Sequence, residues 1–156
     1  MRSLNKLLSA TGLTFLIAFL PAINPVKGQS PKIFVIDKLI TDAIDITDNV
    51  SASDKILNLP DSGDPLVIIA DELKTGTYSE VHLFLLTKPG SMIFDELNIL
   101  ADNVYEFTSS FGEWKKYLAP EAKIIIHSGV LTSEPDGVIL VERLEELTGA
   151  TVLVQN

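Results

Sequence analysis

Cysteine is missing from this sequence of 156 residues. Its absence excludes disulfide bonds, thiolate metal sites, lipid attachment at an N-terminal cysteine and any cysteine nucleophile. Motifs with a defined chemistry are missing as well, since the sequence contains no GxSxG elbow, GxxxxGK[ST] phosphate loop, GxGxxG turn or HExxH pair. Asp42, Asp45 and Asp48 recur every three residues, but the Gly and terminal Glu of an EF-hand loop do not accompany them. We therefore expect no metal and no cofactor.

Basic residues are scarce, because 12 Lys and Arg stand against 21 Asp and Glu, a net charge of −9. Without residues 1–28, nine basic residues remain and the net charge becomes −12. Binding to nucleic acid and to anionic lipid depends on Lys and Arg that neutralise phosphate, so neither is an expected partner. A solvated acidic surface of this kind keeps an exported protein soluble.

The apolar run LTFLIAFL at 13–20 is well short of the ~20 residues that a spanning helix needs. Basic residues precede it, a proline follows it and small residues mark a cut site: Arg2, Lys6, Pro21, Val26 and Gly28. This pattern predicts a secretory signal peptide at 1–28 and a single mature domain at 29–156. We expect a secreted or periplasmic protein without stable membrane insertion. The alternative is an uncleaved N-terminal anchor.

Strand patterns and helix patterns alternate along the mature chain. Continuous apolar runs predict strands at 32–37, 55–60, 81–86, 123–129 and 151–154. Apolar residues at helical spacing predict helices at 39–50, 65–74, 102–118 and 136–147, and 91–99 suggests a small hairpin. Such alternation predicts a three-layer α/β/α domain with a mostly parallel sheet.

Several residues specify the ends and the buried faces of these helices. Asp64 is a predicted N-cap before Pro65, and Gly149 is a predicted C-cap. Two sets of apolar residues are expected to face the core, Val104, Phe107, Phe111, Trp114 and Leu118 in one helix and Val138, Val141, Leu144 and Leu147 in the next. At this spacing the aromatic residues are assigned to the core rather than to a ligand site.

The carboxyl ends of the strands at 81–86 and 123–129 are the natural pair to line a cleft. The first end carries Leu86, Thr87 and Lys88, and the second carries His127, Ser128 and Gly129. Neighbouring strand residues point to opposite faces, so His127 cannot act on Ser128 unless the strand has already broken. His82 lies near the start of its strand and is expected at the other end of the sheet, as a buried, hydrogen-bonded structural histidine.

The segment at 119–152, which ends in LTGATV at 147–152, resembles the last third of a bacterial family known as domain of unknown function 4347. VHLFLLTKPGSMIF at 81–94 is similar, without a gap, to the apolar strand of that family, which ends in Ser-His-Gly and continues to Pro-Gly. Weaker similarity extends to IFVID at 33–37, to GDPLVIIADELK and to Trp114. Members often lie near the amino end of very large secreted, repeat-bearing surface proteins.

The resemblance implies a caspase-like fold, whose chemistry is a His/Cys dyad on two adjacent strand ends. By position, Leu86 stands where the His would be, and Thr87 replaces the Gly that follows it. Gly129 stands where the Cys would be, with Ser128 at the preceding Gly and His127 at a Tyr. Both residues of the dyad are therefore missing, and a chain without cysteine cannot restore the reaction by a shift of register.

The favoured hypothesis is an exported, non-catalytic member of this family, a pseudoenzyme that binds an unidentified protein or peptide partner. The expected rim of its cleft carries Thr87, Lys88, His127 and Ser128, beside Leu86 and Gly129. The alternative is a secreted hydrolase that uses Ser128 or His127 with Asp37, which closes the first strand. A third hypothesis is a small stand-alone domain without a ligand.

Overall fold

The computed structural model describes residues 30–40 and 50–155. The predicted signal peptide at 1–28 lies outside the described residues, and so do residues 41–49 of the helix predicted at 39–50. Within the described part of the chain, no helix is long and apolar enough to cross a membrane.

Five strands form one sheet in the order β2-β1-β3-β7-β8, with every neighbouring pair parallel. These strands are β1 Lys32–Ile36, β2 Lys55–Asn58, β3 Tyr78–Phe84, β7 Leu118–His127 and β8 Thr151–Gln155. The helices are α1 Pro65–Leu73, α2 Thr108–Tyr117 and α3 Pro135–Thr148, and 3₁₀ turns cover Val104–Phe107 and Leu131–Ser133. The mixed α/β class and the mostly parallel sheet flanked by helices are confirmed.

Local chemistry explains where two of the helices begin and end. The side chain of Asp64 accepts hydrogen bonds from the backbone N–H groups of Leu66 and Val67, at 2.9 and 3.4 Å, and Pro65 occupies the first turn. Gly149 ends α3 in the left-handed region, with φ 68°, and its N–H donates to the carbonyl of Glu145. The predicted caps are confirmed.

The three helices pack against one face of the sheet, and their buried residues join those of the strands in the main core. Trp114 lies inside it and donates from Nε1 to the carbonyl of Leu66 at 2.9 Å. The inward stripe of α3 differs from the prediction, because Gly137, Leu140, Leu144 and Thr148 are buried. Val138 is 46% exposed, so its prediction as a core residue is wrong. Leu144 is buried as predicted, and Val141 and Leu147 pack half-buried against the core, whereas the packing of Gly137 against the backbone of Leu131 turns Val138 outward.

The opposite face of the sheet carries a second apolar cluster. Phe34 and Ile36 are buried there, and Ile40, Val50 and Phe84 pack against them. Ile40 and Val50 flank residues 41–49 in sequence. Apolar cover on this face as well as on the helical face is consistent with the three-layer arrangement.

The strand predicted at 81–86 begins earlier and ends earlier in the structure. It runs over Tyr78–Phe84, and Leu86 belongs instead to a separate three-stranded antiparallel sheet. The strands of that sheet are β4 Leu86–Lys88, β5 Ser91–Phe94 and β6 Leu97–Leu100, which include the predicted hairpin. Leu86 is 42% exposed and lies in β4, so its prediction as the last residue of a strand of the parallel sheet is wrong. The chain leaves the parallel sheet after Phe84, and the turn at Pro89–Gly90, with Gly90 at φ 72°, folds it back on itself.

The helix predicted at 102–118 stops at Tyr117, and Leu118 is the first residue of β7. Leu118 pairs with Tyr78 across the sheet, and the register then shifts before Glu80 pairs with Lys123. The apolar side chain of Leu118 packs against the main core from a strand, so helical spacing alone assigned it to the wrong element.

Candidate site at the carboxyl edge of the sheet

The strand order places a topological switch point between β1 and β3, because the chain leaves β1 toward β2 and returns to the other side of β1 at β3. In open α/β sheets, ligands bind outside the carboxyl ends of the strands at such a point. The backbone N–H of Asp37, just after β1, donates to the carbonyl of Phe84 at the end of β3, at 2.8 Å. The carboxyl edge of the sheet is therefore the expected location of a ligand site.

The two segments that the sequence singled out meet at this edge. The hydroxyl oxygens of Thr87 and Ser128 lie 2.5 Å apart, a hydrogen bond between residues 41 positions apart. Leu86, which precedes Thr87, and Gly129, which follows Ser128, are exposed. Lys88 is exposed as well. The structure thus brings together the ends of β3 and β7 through their flanking residues.

The side-chain hydroxyl and the backbone N–H of Ser128 are both hydrogen-bonded. Its Oγ accepts hydrogen bonds from the backbone N–H groups of Leu131, at 3.0 Å, and Val130, at 3.3 Å. A hydroxyl with both lone pairs occupied has only its proton left to give, so Ser128 donates to Thr87. Its backbone N–H donates to the carbonyl of Gln155. The buried side chain of Ser128 therefore stabilises the turn before α3 rather than standing poised as a nucleophile.

His127 turns its ring to the opposite face of the sheet. The ring stacks on Phe84 with centroids 4.0 Å apart and planes 6° apart, and its Nε2 lies 3.0 Å from Nδ1 of His82. The expectation that His82 lies at the far end of the sheet is wrong, although the histidine is hydrogen-bonded and half-buried. The register explains the contact, because Phe84 is opposite His127 and Ile125 is opposite His82, which makes the two histidines diagonal neighbours.

Electrostatics on this second face is dominated by burial and by one carboxylate. Burial lowers the pKa of His82 below its ordinary value, and the hydrogen bond to Glu80 opposes this shift only in part. Burial also lowers the pKa of His127, and the neighbouring His82 lowers it further. The pKa of Glu80 is lowered by its hydrogen bond with Lys32 and then by that with His82. At neutral pH both imidazoles are therefore uncharged.

Asp37, the third residue of the hydrolase hypothesis, is 1% exposed, and its Oδ1 accepts a hydrogen bond from the backbone N–H of Leu39 at 2.9 Å. That contact is the turn cap expected of an Asp after a strand. Ser128, His127 and Asp37 are thus each bonded to different groups. The structure does not assemble them into the chain of nucleophile, base and orienting acid that acyl transfer requires.

A cleft of about 450 Å³ at the carboxyl ends of β1 and β2 was not predicted from the sequence. Its walls come from the loop before α1 and the turn between β5 and β6, with lining residues Lys38, Asp61, Ser62, Gly63, Asp64, Pro65, Phe94, Asp95, Glu96 and Leu97. Lys38 Nζ lies 2.9 Å from a carboxylate oxygen of Asp95, and this hydrogen bond raises the pKa of Lys38. The two acidic turns that form the walls were visible in the sequence, but their convergence on one cleft depends on the tertiary fold.

Within residues 30–40 and 50–155, no three His, Asp or Glu side chains are grouped in a way that could hold a metal ion. The comparisons with known proteins give one match. No curated protein and no solved structure is similar enough to count as a match. The model of a family described as a domain of unknown function, DUF4347, matches residues 33–156, from the first strand to the end of the chain. This protein therefore belongs to the DUF4347 family.

Proposed function

We propose that this protein is an exported, non-catalytic member of its family, a pseudoenzyme that binds a protein or peptide partner at the carboxyl edge of the sheet. The observation that carries the proposal is the contact between Thr87 and Ser128, whose hydroxyl groups bond to each other at 2.5 Å. An active site between these two strand ends would need an acid, a base or a nucleophile. The two hydroxyl groups found there are hydrogen-bonded to each other instead.

The resemblance to a caspase-like His/Cys family supports the loss of chemistry. In that resemblance Leu86 and Gly129 stand where the two residues of the dyad would be, and each lies next to one partner of the Thr87–Ser128 hydrogen bond. Neighbouring strand ends are where such a dyad would have to lie. A leucine and a glycine can neither form a thiolate nor take its proton, and the sequence has no cysteine to substitute.

The same edge offers a surface for an extended peptide. Strand β4 is at the edge of its sheet, since it pairs with β5 and with no other strand in the described part of the chain. Its side chains include Leu86, which is 42% exposed, and Lys88. A peptide that adds to such an edge gains main-chain hydrogen bonds, and exposed side chains beside it give selectivity. Export is supported by the signal-peptide features at 1–28.

Peptide display against the immobilised protein tests binding at this edge. Selected peptides would be measured on the original protein, on Leu86→Asp and on Ile56→Asp, which changes an equally apolar strand residue that is 38% exposed on β2. We expect Leu86→Asp to weaken binding at least tenfold and Ile56→Asp to leave it within twofold. Equal losses in both variants, or no selected peptides, would contradict the proposal.

A further inference from the structure

Four side chains form a continuous chain of contacts across the second face of the sheet. Lys32 Nζ lies 2.7 Å from Oε2 of Glu80, and the same oxygen lies 3.1 Å from Nε2 of His82. Nδ1 of His82 then lies 3.0 Å from Nε2 of His127. Phe34 stacks on the first imidazole, with centroids 4.5 Å apart, and Phe84 stacks on the second. The two rings are therefore held edge to edge between β3 and β7.

These contacts allow only one arrangement of protons. The carboxylate of Glu80 can only accept, because the hydrogen bond with Lys32 lowers its pKa, so Nε2 of His82 carries a proton. A neutral imidazole has one N–H, so Nδ1 of His82 is an acceptor. Nε2 of His127 must then donate to it, and Nδ1 of His127 carries no proton.

With this arrangement, the first added proton and the second have different effects on the hydrogen bonds. A proton on Nδ1 of His127 turns that ring into a cation and leaves every hydrogen bond of the chain in place. A second proton can go only to Nδ1 of His82, which is the acceptor of the bond between the rings. Two N–H groups would then face each other at 3.0 Å, and two cations would lie side by side.

Charged groups around the pair come from several elements. Among the described residues they are Glu80 of β3, Lys32 of β1, Asp54 of the turn before β2 and Lys123 of β7. Lys123 pairs with Glu80 across the sheet. Strand β8 places the uncharged Gln155 opposite His127. Glu80 and Asp54 favour a charged His82, whereas Lys32 disfavours it. For His127, burial and the neighbouring imidazole both disfavour the charge.

We propose that His82 and His127 form a pH-sensitive lock between β3 and β7, which accepts one proton without breaking and opens when it takes up a second. The lock depends on the hydrogen-bond directions of the intact chain of contacts, and its two rings are half-buried. It does not depend on what the carboxyl edge of the sheet binds.

Imidazole ¹⁵N NMR of the full-length protein between pH 8 and pH 4 tests this proposal. At neutral pH we expect protons on Nε2 of both rings and none on either Nδ1. On acidification His127 should become a cation while the backbone spectrum stays folded. His82 should gain its proton only together with loss of the bond between the rings. Two independent titrations in an unchanged fold, or a proton on Nδ1 of neutral His127, would overturn the lock.

A His127→Phe variant gives a second readout, because it keeps an aromatic ring beside Phe84 but removes both nitrogens that bond and repel. In this variant Nδ1 of His82 accepts no hydrogen bond from residue 127, so its protonation breaks no bond and meets no neighbouring cation. We expect its titration midpoint to rise by at least half a pH unit in the variant, and an unchanged midpoint would contradict the lock. If the variant does not fold, the spectra of the unaltered protein still decide.

Discussion

A side chain at Gly137 would collide with the backbone of Leu131, because a β-carbon placed there lies 1.8 Å from the carbonyl oxygen of that residue. The same carbonyl accepts a hydrogen bond from the backbone N–H of Gly90 at 2.9 Å. Leu131 therefore connects the first turn of α3 with the β4–β5 turn. Its backbone N–H is held in turn by Oγ of Ser128. This packing fixes the position of β4 at the candidate site.

Gly137→Ala should therefore destabilise the protein by about 1–3 kcal/mol or more, since the backbone of Leu131 has to move to admit a methyl group. Gly112→Ala is the matched control, because Gly112 is also helical and has nothing within 4 Å of its β-carbon position. There, alanine should raise stability by up to about 1 kcal/mol. Urea unfolding measures both. Equal effects of the two substitutions would refute the packing argument.

The role of Ser128 as a buried acceptor predicts a cost for its removal. Ser128→Ala leaves the N–H groups of Val130 and Leu131 without their acceptor, and about 1–3 kcal/mol of stability should be lost. Thr87→Val removes only the partner of the Ser128 hydroxyl proton, so its cost should be smaller, about 0.5–1.5 kcal/mol. Thermal unfolding of the two variants decides the order. A larger loss in Thr87→Val would show that Ser128 does not organise the turn.

The absence of native cysteine makes the proximity of the two strand ends directly testable. Thr87→Cys/Ser128→Cys should form a disulfide, because the hydroxyl oxygens that the sulfurs replace are 2.5 Å apart. Mass spectrometry after mild oxidation would detect the loss of two hydrogens per chain. Oxidation should then raise stability by roughly 2–4 kcal/mol relative to the reduced form of the same variant. Two thiols that stay free under oxidising conditions would contradict the described contact.

The histidine pair predicts how stability depends on pH. Burial lowers the pKa of both imidazoles below the ordinary 6.5, so just below that pH the unfolded chain binds more protons than the folded one. Stability is therefore greatest above pH 6.5 and falls as the pH drops toward the folded-state pKa values, by at most about 1.4 kcal/mol per pH unit for each proton.

A His82→Gln/His127→Gln variant should lose this slope as the pH falls below 6.5. Below pH 4.5 a second loss should remain, because Lys32 lowers the pKa of Glu80 and the stability from that carboxylate disappears as it is protonated. Denaturant midpoints across the pH range measure both regions. An unchanged slope just below pH 6.5 in the variant would exclude the two histidines as its source.

The sequence predicted the parallel sheet, the hairpin and two helix caps, because these depend on local patterns such as continuous apolar runs, Asp64 before Pro65, and Gly149 after the last helix. The meeting of Thr87 and Ser128 followed from the rule that parallel strands end at one edge. The family was predicted correctly because the similarity extends over residues 33–156 and does not depend on any single motif.

The remaining features depend on strand register and on contacts between distant segments. His82 was assigned to the far end of the sheet because its position was measured along its own strand, whereas its partner is set by the register of β3 with β7. The exposure of Val138 follows from the contact of Gly137 with Leu131, and no periodicity encodes that contact. The cleft beside Lys38 unites two loops that are more than 30 residues apart in the sequence.

The central claim, that the carboxyl edge of the sheet binds without cleaving, is tested most directly by peptide cleavage. The purified protein and its Ser128→Ala variant would be incubated with a diverse peptide library, and products would be identified by mass spectrometry. We predict that neither sample produces cleavage above the level without protein. Cleavage by the unaltered protein that disappears in Ser128→Ala would contradict the claim and identify Ser128 as a nucleophile after all.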